Sequence, residues 1–381
     1  MYLKNATPKR RANKRLRNWL ILAIIYAITG LLWLRQEKTA ALVDVVATPS
    51  ATQQPERTED QQDQPDQLLE KGDIYFSQGN QMAALESYQE AVAANPQLAI
   101  AYARWGQLLT LQQELDQAIS RTTRAVTLAP ENPEVLGAHA MALEWSGDLQ
   151  EAIHYAQRAI EIDPDYAAGH AFLAEAYVDS GRYNEALAAA KHAIKIDRNE
   201  MWAWRNLGYV YEHLGRYEEA IDSYQKGASI TPLSYLYMSL GRNEFVQQNF
   251  NAALDYYRKA TTVDPKNPLA YAKLGEAHML LEEYALAKEI FKKGIEQNPT
   301  FGLNYAKLGY IYYVQRNFER AIREMEKAVS FGHSSEDVFY NLGLSYTYLE
   351  QCDEAMPWFE RALSLNPDSQ LSQYGIELCN E

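Results

Sequence analysis

Seven histidines and two cysteines are the residues of this chain that proteins use most often to bind metals or to transfer protons. Four of the histidines lie near one another in sequence, each alone on its helical turn: His139, His154, His170 and His192. Because a metal site needs several converging ligands, we expect solvated or hydrogen-bonded histidines and no bound metal. Cys352 and Cys379 form no C-x-x-C pair, and a disulfide between them stays open as an alternative.

Sequence motifs of enzymes are absent from the 381 residues. There is no GxxxxGK[ST] phosphate loop, no HExxH zinc helix, no GxSxG elbow and no dinucleotide fingerprint. The 50 acidic residues outnumber the 36 lysines and arginines, so the phosphate backbone of a nucleic acid would repel most of the chain. We therefore expect no enzyme, no cofactor and no nucleic-acid partner.

The amino-terminal segment differs from the rest of the chain in charge and hydropathy. Residues 1–38 contain nine Lys/Arg and one acid, whereas the remaining residues are acidic overall. Residues 19–34 carry no charge, and a helix there would be about 24 Å long, somewhat short of the ~30 Å hydrocarbon core of a bilayer. Trp19 and Trp33 stand near its ends, where indoles favour the membrane interface. The pattern predicts a basic cytoplasmic tail at 1–18 and a transmembrane helix at 19–34.

A cleaved signal peptide is the alternative for this segment, with Ala41 or Ala47 as the cleavage position. If the helix is retained, the excess of positive charge keeps the tail in the cytoplasm and sends the bulk of the chain across the membrane. Residues 48–67 are rich in Pro, Gln, Thr and acids, and a flexible linker is predicted at 35–64. We expect a single-pass membrane protein with an extracytoplasmic C-terminal part, and the composition favours a prokaryotic source.

A repeat of 34 residues fills the rest of the chain. The stretch RNLGYVYEHLGRYEEAIDSY (205–224) recurs with this period, and one copy, between Gly208 and Gly241, has 33 residues. A small residue recurs at the position of Gly208, namely Gly72, Gly106, Ala140, Ala174, Gly241, Gly275, Gly309 and Gly343. Twelve residues later every copy has alanine: Ala84, Ala118, Ala152, Ala186, Ala220, Ala253, Ala287, Ala321 and Ala355. Most copies close with proline: Pro96, Pro130, Pro164, Pro232, Pro265, Pro299 and Pro367.

This spacing is typical of helical hairpins. Two helices approach closely only where the side chains at their crossing are small, and proline ends a helix because it lacks an N–H group. Turn glycines, which tolerate positive φ, are expected at Gly79, Gly147, Gly181 and Gly215. Four residues of the quoted stretch are therefore interpreted as packing residues and not as an active site: Gly208, Gly215, Tyr217 and Ala220.

The pattern resembles the tetratricopeptide repeat, a helix–turn–helix unit of 34 residues. Nine copies in register cover residues 65–369, about four fifths of the chain: 65–98, 99–132, 133–166, 167–200, 201–233, 234–267, 268–301, 302–335 and 336–369. The resemblance implies an all-α solenoid, a right-handed superhelix of helix hairpins. Residues 370–381 are predicted to form the capping helix that the last repeat needs.

The resemblance also implies that the first helix of each repeat lines a concave groove. In the family, positions 2, 5, 9, 12 and 13 of a repeat tend to face this groove, and their spacing places them on one helical face. Three repeats thereby supply the candidate protein-binding residues Trp202, Arg205, Tyr209, Tyr235, Met238, Arg242, Phe245, Tyr310 and Tyr313. Aromatic residues and arginine are favoured at protein interfaces. The alternative for Trp202 and Tyr235 is packing against neighbouring repeats.

Two devices by which members of the family hold peptides do not match this sequence. A clamp for chaperone C-termini would need Lys and Asn where the first repeat has Leu69 and Asp73, and a continuous asparagine ladder is interrupted between Asn206 and Asn341. We expect a non-enzymatic, membrane-anchored scaffold that binds protein or peptide partners in its groove. The alternative is an assembly factor that acts through the convex face or through self-association. The sequence does not set the oligomeric state.

Overall fold

A computed structural model describes residues 64–380, which form nineteen helices and no strand. The first helices of the nine hairpins are α1 (Pro65–Ser77), α3 (Ala99–Leu111), α5 (Pro133–Trp145), α7 (Ala167–Asp179), α9 (Met201–His213), α11 (Ser234–Val246), α13 (Pro268–Leu280), α15 (Gly302–Val314) and α17 (Glu336–Thr347). The second helices are α2 (Gln81–Ala94), α4 (Leu115–Leu128), α6 (Leu149–Ile162), α8 (Tyr183–Ile196), α10 (Tyr217–Ile230), α12 (Phe250–Val263), α14 (Tyr284–Gln297), α16 (Phe318–Ser330) and α18 (Cys352–Leu365). The capping helix is α19 (Gln370–Asn380). The predicted all-α solenoid of hairpins is confirmed for this part of the chain.

The turn inside each hairpin has one residue with a left-handed backbone conformation. Gly79 has a φ of 78° and Gly147 a φ of 91°, as the sequence predicts. In five hairpins a residue with a side chain adopts the same conformation, with φ between 57° and 64°: Gln113, Gln248, Glu282, Arg316 and Glu350. Such a conformation costs energy for residues other than glycine. The packing of the two helices therefore determines the turn even where the local sequence disfavours it.

Small residues let the two helices of a hairpin approach each other closely. A Cβ atom at Gly208 would lie 2.8 Å from the ring of Tyr224, which is fully buried. Ala220, twelve residues after Gly208, is also fully buried. The recurring small residues of the sequence are thus packing positions, and each hairpin buries its core against the next one.

Short connections join the hairpins. Each second helix that precedes a proline of the repeat ends two residues before it, as α2 ends at Ala94 before Pro96. Most connections between hairpins have four residues, but 231–233 has three and 331–335 has five. The three-residue connection lies in the one repeat that is a residue shorter than the others.

The C-terminal end of the array is covered by α19. Gly375 lies so close to the ring of Phe359 in α18 that a Cβ atom would come within 2.1 Å of it. A disulfide between Cys352 and Cys379 joins the start of α18 to α19, with 5.4 Å between the two Cα atoms. The disulfide that the sequence left open is present in this structure and fastens the cap to the last repeat.

The predicted basic tail, the transmembrane helix and all of the linker except residue 64 lie outside the described residues, as does Glu381. Within residues 64–380, no helix is both long enough and apolar enough to cross a membrane.

Two glycine substitutions in the fifth hairpin test the close approach of its helices. The nearest atom to a Cβ at Gly227 would be 3.6 Å away, an ordinary contact, so Gly227→Ala should stabilise the protein by about 0.5–1 kcal/mol through lower backbone entropy in the unfolded chain. Gly208→Ala should destabilise it by about 1–3 kcal/mol because the buried Tyr224 ring must move. Thermal unfolding followed by circular dichroism measures both effects. Equal shifts of the two variants would contradict the tight crossing.

Candidate functional site

We call the surface that the first helices of the hairpins present the first-helix face. From the second repeat to the fifth, each first helix contacts the next one, in the order α3, α5, α7 and α9. A cavity of about 450 Å³, which we call the polar cavity, is lined by residues of repeats one to five, including Asp73, Arg104, Glu134, Tyr166 and Trp202. Because one cavity is lined from five successive repeats, the first-helix face is concave there.

Arg205 in α9 lies beneath this face and is 1 % exposed. Its guanidinium forms an ion pair with Glu175 in α7, which is itself buried, and donates hydrogen bonds to Asn206 Oδ1 and to the hydroxyl of Tyr235 in α11, each at 2.5 Å. It also lies 5.4 Å from the ring centre of Trp145 in α5. Arg205 therefore holds repeats three to six together and is not accessible to a ligand.

The surroundings of Arg205 contain more acidic than basic groups. Burial by itself would lower the pKa of Arg205, but the Glu175 carboxylate raises it well above the ordinary value, so the charge is retained. Burial and the neighbouring carboxylates of Glu175 and Asp179 raise the pKa of Glu144 to about 11. Burial and the nearby carboxylates thus favour the neutral form of Glu144, which lowers the repulsion that closely spaced buried carboxylates would otherwise suffer.

Other predicted residues join the same inter-repeat contacts. Tyr209 donates a hydrogen bond to Asp179 at 2.7 Å. Trp202 is 6 % exposed and packs on Phe76 and Phe172, with ring centres 6.4 and 5.5 Å apart. Trp202 also forms one wall of the polar cavity. Packing against other repeats, the alternative that the sequence left open for Trp202, is thus observed, and the same holds for Tyr235, whose ring lies 5.4 Å from that of Trp145.

Four predicted residues line a second and larger cavity. Tyr235, Met238, Arg242 and Phe245 project from α11 into a groove of about 800 Å³. Arg242 pairs with Glu212 through two hydrogen bonds of 2.6 and 2.9 Å, and these contacts outweigh burial to keep the pKa of Glu212 below its ordinary value. We call this cavity the apolar groove, because large apolar side chains dominate its walls: Met82, Leu111, Met238, Phe245, Val246, Leu269, Leu280 and Phe301.

Tyr310 and Tyr313, the predicted residues of the eighth repeat, lie apart from the apolar groove. Their rings are 6.5 Å apart, and Tyr313 also packs against Phe318 and Tyr348 at 6.0 and 6.3 Å. Tyr310 is 37 % exposed. The structure therefore divides the predicted residues among an inter-repeat network, the apolar groove and a separate tyrosine cluster.

The predictions from sequence missed several groove residues. Val246 and Leu280 occupy position 13 of the sixth and seventh repeats. The spacing rule of the family, by which positions 2, 5, 9, 12 and 13 face the groove, would therefore have selected them if it had been applied throughout these two repeats. Met82 lies in α2, a second helix, where that rule does not apply. It reaches the groove only because the first repeat folds back towards the sixth and seventh. No pattern within a single repeat predicts this contact.

Family models agree with this architecture. Models described as tetratricopeptide repeat match residues 112–167, 146–203, 202–232, 269–301 and 336–369, and one described as TPR repeat matches 72–109 and 241–282. The chain is a tetratricopeptide-repeat protein. No curated protein matches the chain.

One solved structure supports the same fold, and two others are similar to about half of this chain. The crystal structure of the APC/C hetero-tetramer Cut9–Hcn1 matches 83 % of this chain and 76 % of its own with a TM-score of 0.55 at 15 % identity, which shows the fold alone. A thermophilic TPR protein of Thermus thermophilus is similar over 48 % of this chain and 99 % of its own, at 22 % identity and a TM-score of 0.43. YrrB, described as a TPR protein with an unusual peptide-binding site, is similar over 50 % and 99 %, at 20 % identity and a TM-score of 0.39.

Replacement of Arg205 tests the buried ion pair. Arg205→Met should lower the free energy of unfolding by about 3–5 kcal/mol, because Glu175 is left buried without its counterion. The double variant Arg205→Met, Glu175→Gln should recover much of this loss, and a double-mutant cycle from urea unfolding measures the coupling. Arg216→Met, which breaks the exposed pair with Glu219, is the control and should change little. Purely additive effects at Arg205 and Glu175 would contradict the pair.

Proposed function

We propose that the protein is a non-enzymatic, membrane-anchored scaffold that binds a segment of a partner protein in the apolar groove. The observation that carries this proposal is the groove itself, about 800 Å³ in volume, with apolar side chains that remain exposed. Leu280 is 65 % exposed, Val246 50 % and Met82 39 %. A concave cavity of this size with exposed apolar walls is the usual setting for ligand binding.

The repeat fold supports the binding part of the proposal. Tetratricopeptide arrays are typical protein-interaction scaffolds, since their stacked hairpins present an extended concave surface to a partner. Fold alone does not assign a function, so the proposal rests on the groove. Its position on the first-helix face, next to Met238, Arg242 and Phe245, is where the spacing of the repeat predicts partner contacts.

The membrane part rests on the sequence of residues 1–34, where a basic tail precedes sixteen uncharged residues. The disulfide between Cys352 and Cys379 supports the orientation, because disulfides persist mainly outside the reducing cytoplasm. We infer that the repeat array lies on the extracytoplasmic side and that the linker at 35–64 connects it to the membrane.

A pair of leucines in the seventh repeat tests binding in the groove. The affinity-tagged full chain is expressed in its source cells, cross-linked and purified as wild type, Leu280→Glu and Leu286→Glu. Leu280 lines the groove, whereas Leu286 is similarly exposed at 55 % and lies outside it. We expect Leu280→Glu to lose the partner, because a charge in an apolar site costs several kcal/mol, and Leu286→Glu to retain it. Retention by both variants would reject the groove and favour the convex face or self-association.

Fractionation tests the anchor and its orientation. The full chain with a C-terminal epitope tag should stay in the membrane pellet after an alkaline wash and should keep its amino-terminal residues in mass spectrometry. Trypsin added to intact spheroplasts should remove the tag, since the positive-inside rule places the array outside. An amino terminus after Ala41 or Ala47 would show a cleaved signal peptide instead, and a protected tag would place the array in the cytoplasm.

A further inference from the structure

The first repeat folds back onto the middle of the array. Phe76 at the end of α1 stacks on Trp202 in α9, with ring centres 6.4 Å apart and planes inclined by 24°. Gly79, in the turn after α1, lies against the backbone of Pro232, and a Cβ atom there would come within 2.3 Å of the Pro232 carbonyl oxygen. We call these two contacts the closure. It joins the first hairpin to the short connection that follows the fifth.

The closure gives the apolar groove its second wall. One wall consists of α11 and α13, with Met238, Val246 and Leu280. The opposite wall comes from the first two repeats, with Met82 in α2 and Leu111 at the end of α3. Without the closure, the side chains of α11 and α13 would form an open surface instead of a groove of about 800 Å³.

We propose that the first two repeats are a binding wall of the groove and that the groove takes a short, uncharged apolar segment of a partner protein. This inference rests on the function proposed above and specifies the chemistry of the partner. Its two parts, the second wall and the uncharged occupant, follow from separate observations.

The charges of the groove favour an uncharged occupant. Its lining contains three acidic and three basic residues: Glu114, Asp264, Glu276, Arg242, Lys266 and Lys273. Arg242 pairs with Glu212, and Lys273 with Glu276 at 2.9 Å, so their charges are already neutralised within the protein. Glu114 and Lys266 are exposed at the rim and have opposite signs. Asp264 accepts a hydrogen bond from the Lys266 N–H at 3.2 Å. Because the lining carries three charges of each sign, a charged side chain that entered the groove would lose water without meeting an excess of opposite charge.

The space next to the groove favours a short segment. On the side of repeats three to five, Tyr235 packs against Trp145, and Arg205 fills the layer beneath them. The closure contact of Gly79 with Pro232 blocks the same side. A bound chain is therefore obstructed on the side of repeats three to five, and a groove of about 800 Å³ holds only a few apolar side chains.

Photo-cross-linking to the purified full chain tests both parts. The probes are two short capped peptides of equal length with a central photoreactive leucine, one flanked by Leu and Phe and the other by Glu and Lys. After irradiation, mass spectrometry should locate the apolar peptide on both walls, near Met82 and near Leu280. The charged peptide should label roughly tenfold less or weaker still, because its charges must lose water in the groove. Absence of labelling by the apolar peptide, or equal labelling by both, overturns the inference.

Matched variants test whether the second wall contributes to peptide binding in the groove. Met82→Glu should reduce labelling at least as strongly as Leu280→Glu does, whereas Ile74→Glu, an exposed residue of the first repeat outside the groove lining, should not. Gly79→Ala should reduce labelling by opening the closure. Gly147→Ala is its control, because Gly147 has the same left-handed conformation with no atom within 4 Å of its Cβ position.

The outcomes distinguish this inference from the proposed function. If Leu280→Glu abolishes labelling while Met82→Glu and Gly79→Ala leave it intact, the groove binds with one wall only, and the second wall is rejected while the proposed function stands. If no variant affects labelling, the peptide binds elsewhere and both fail. Circular dichroism shows whether Gly79→Ala is folded, and the surface substitution Met82→Glu decides the question if it is not.

Discussion

One buried charge, that of Arg205, governs how repeats three to six are arranged. Removing a guanidinium from water costs several kcal/mol, so the charge is tolerated only if acceptors surround it. These acceptors come from different hairpins, since Glu175 belongs to α7 and the Tyr235 hydroxyl to α11. Three successive first helices must therefore converge to satisfy a single side chain. The contacts of Arg205 stabilise the curvature of the first-helix face in this region.

This convergence determines which part of the first-helix face is available to bind a partner. The side chains that solvate Arg205 fill the first-helix face between Trp145 and Tyr235. The same curvature brings the first repeat within reach of Pro232, in the connection that is one residue shorter than most. The apolar groove lies on the far side of this contact, beside the residues of α11 and α13. Tyr235 belongs to both the network and the groove, because it accepts a hydrogen bond from Arg205 and also lines the groove.

The sequence predicts the hairpins well because their causes are local. Small residues, turn glycines and prolines act within a single repeat, and the helices end where these residues indicate, as α2 ends before Pro96. The spacing rule likewise finds the correct face of α9 and α11. It cannot tell Arg205, which is buried, from Phe245, which lines the groove, because their burial depends on repeats that are distant in sequence. The rule also omits Met82, because the position of Met82 in the groove likewise depends on repeats that are distant in sequence.

Because the repeats are similar, the hairpins are nearly equivalent for folding. A site found at one place in the array must therefore arise from residues that depart from the repeat pattern. Three such departures occur in this chain. Arg205 introduces a charge into a packed layer, the connection at 231–233 loses a residue, and Met82 leaves an apolar side chain partly exposed on a second helix. Each of these departures lowers stability or has no effect within its own hairpin, and each contributes only through contacts between hairpins. Arg205 reaches the groove through Tyr235, the short connection contacts the first repeat at Gly79, and Met82 lines the groove itself, whereas the disulfide joins the cap to the last repeat at the far end. The groove is therefore a property of the array as a whole, and no single repeat taken from it would retain the site.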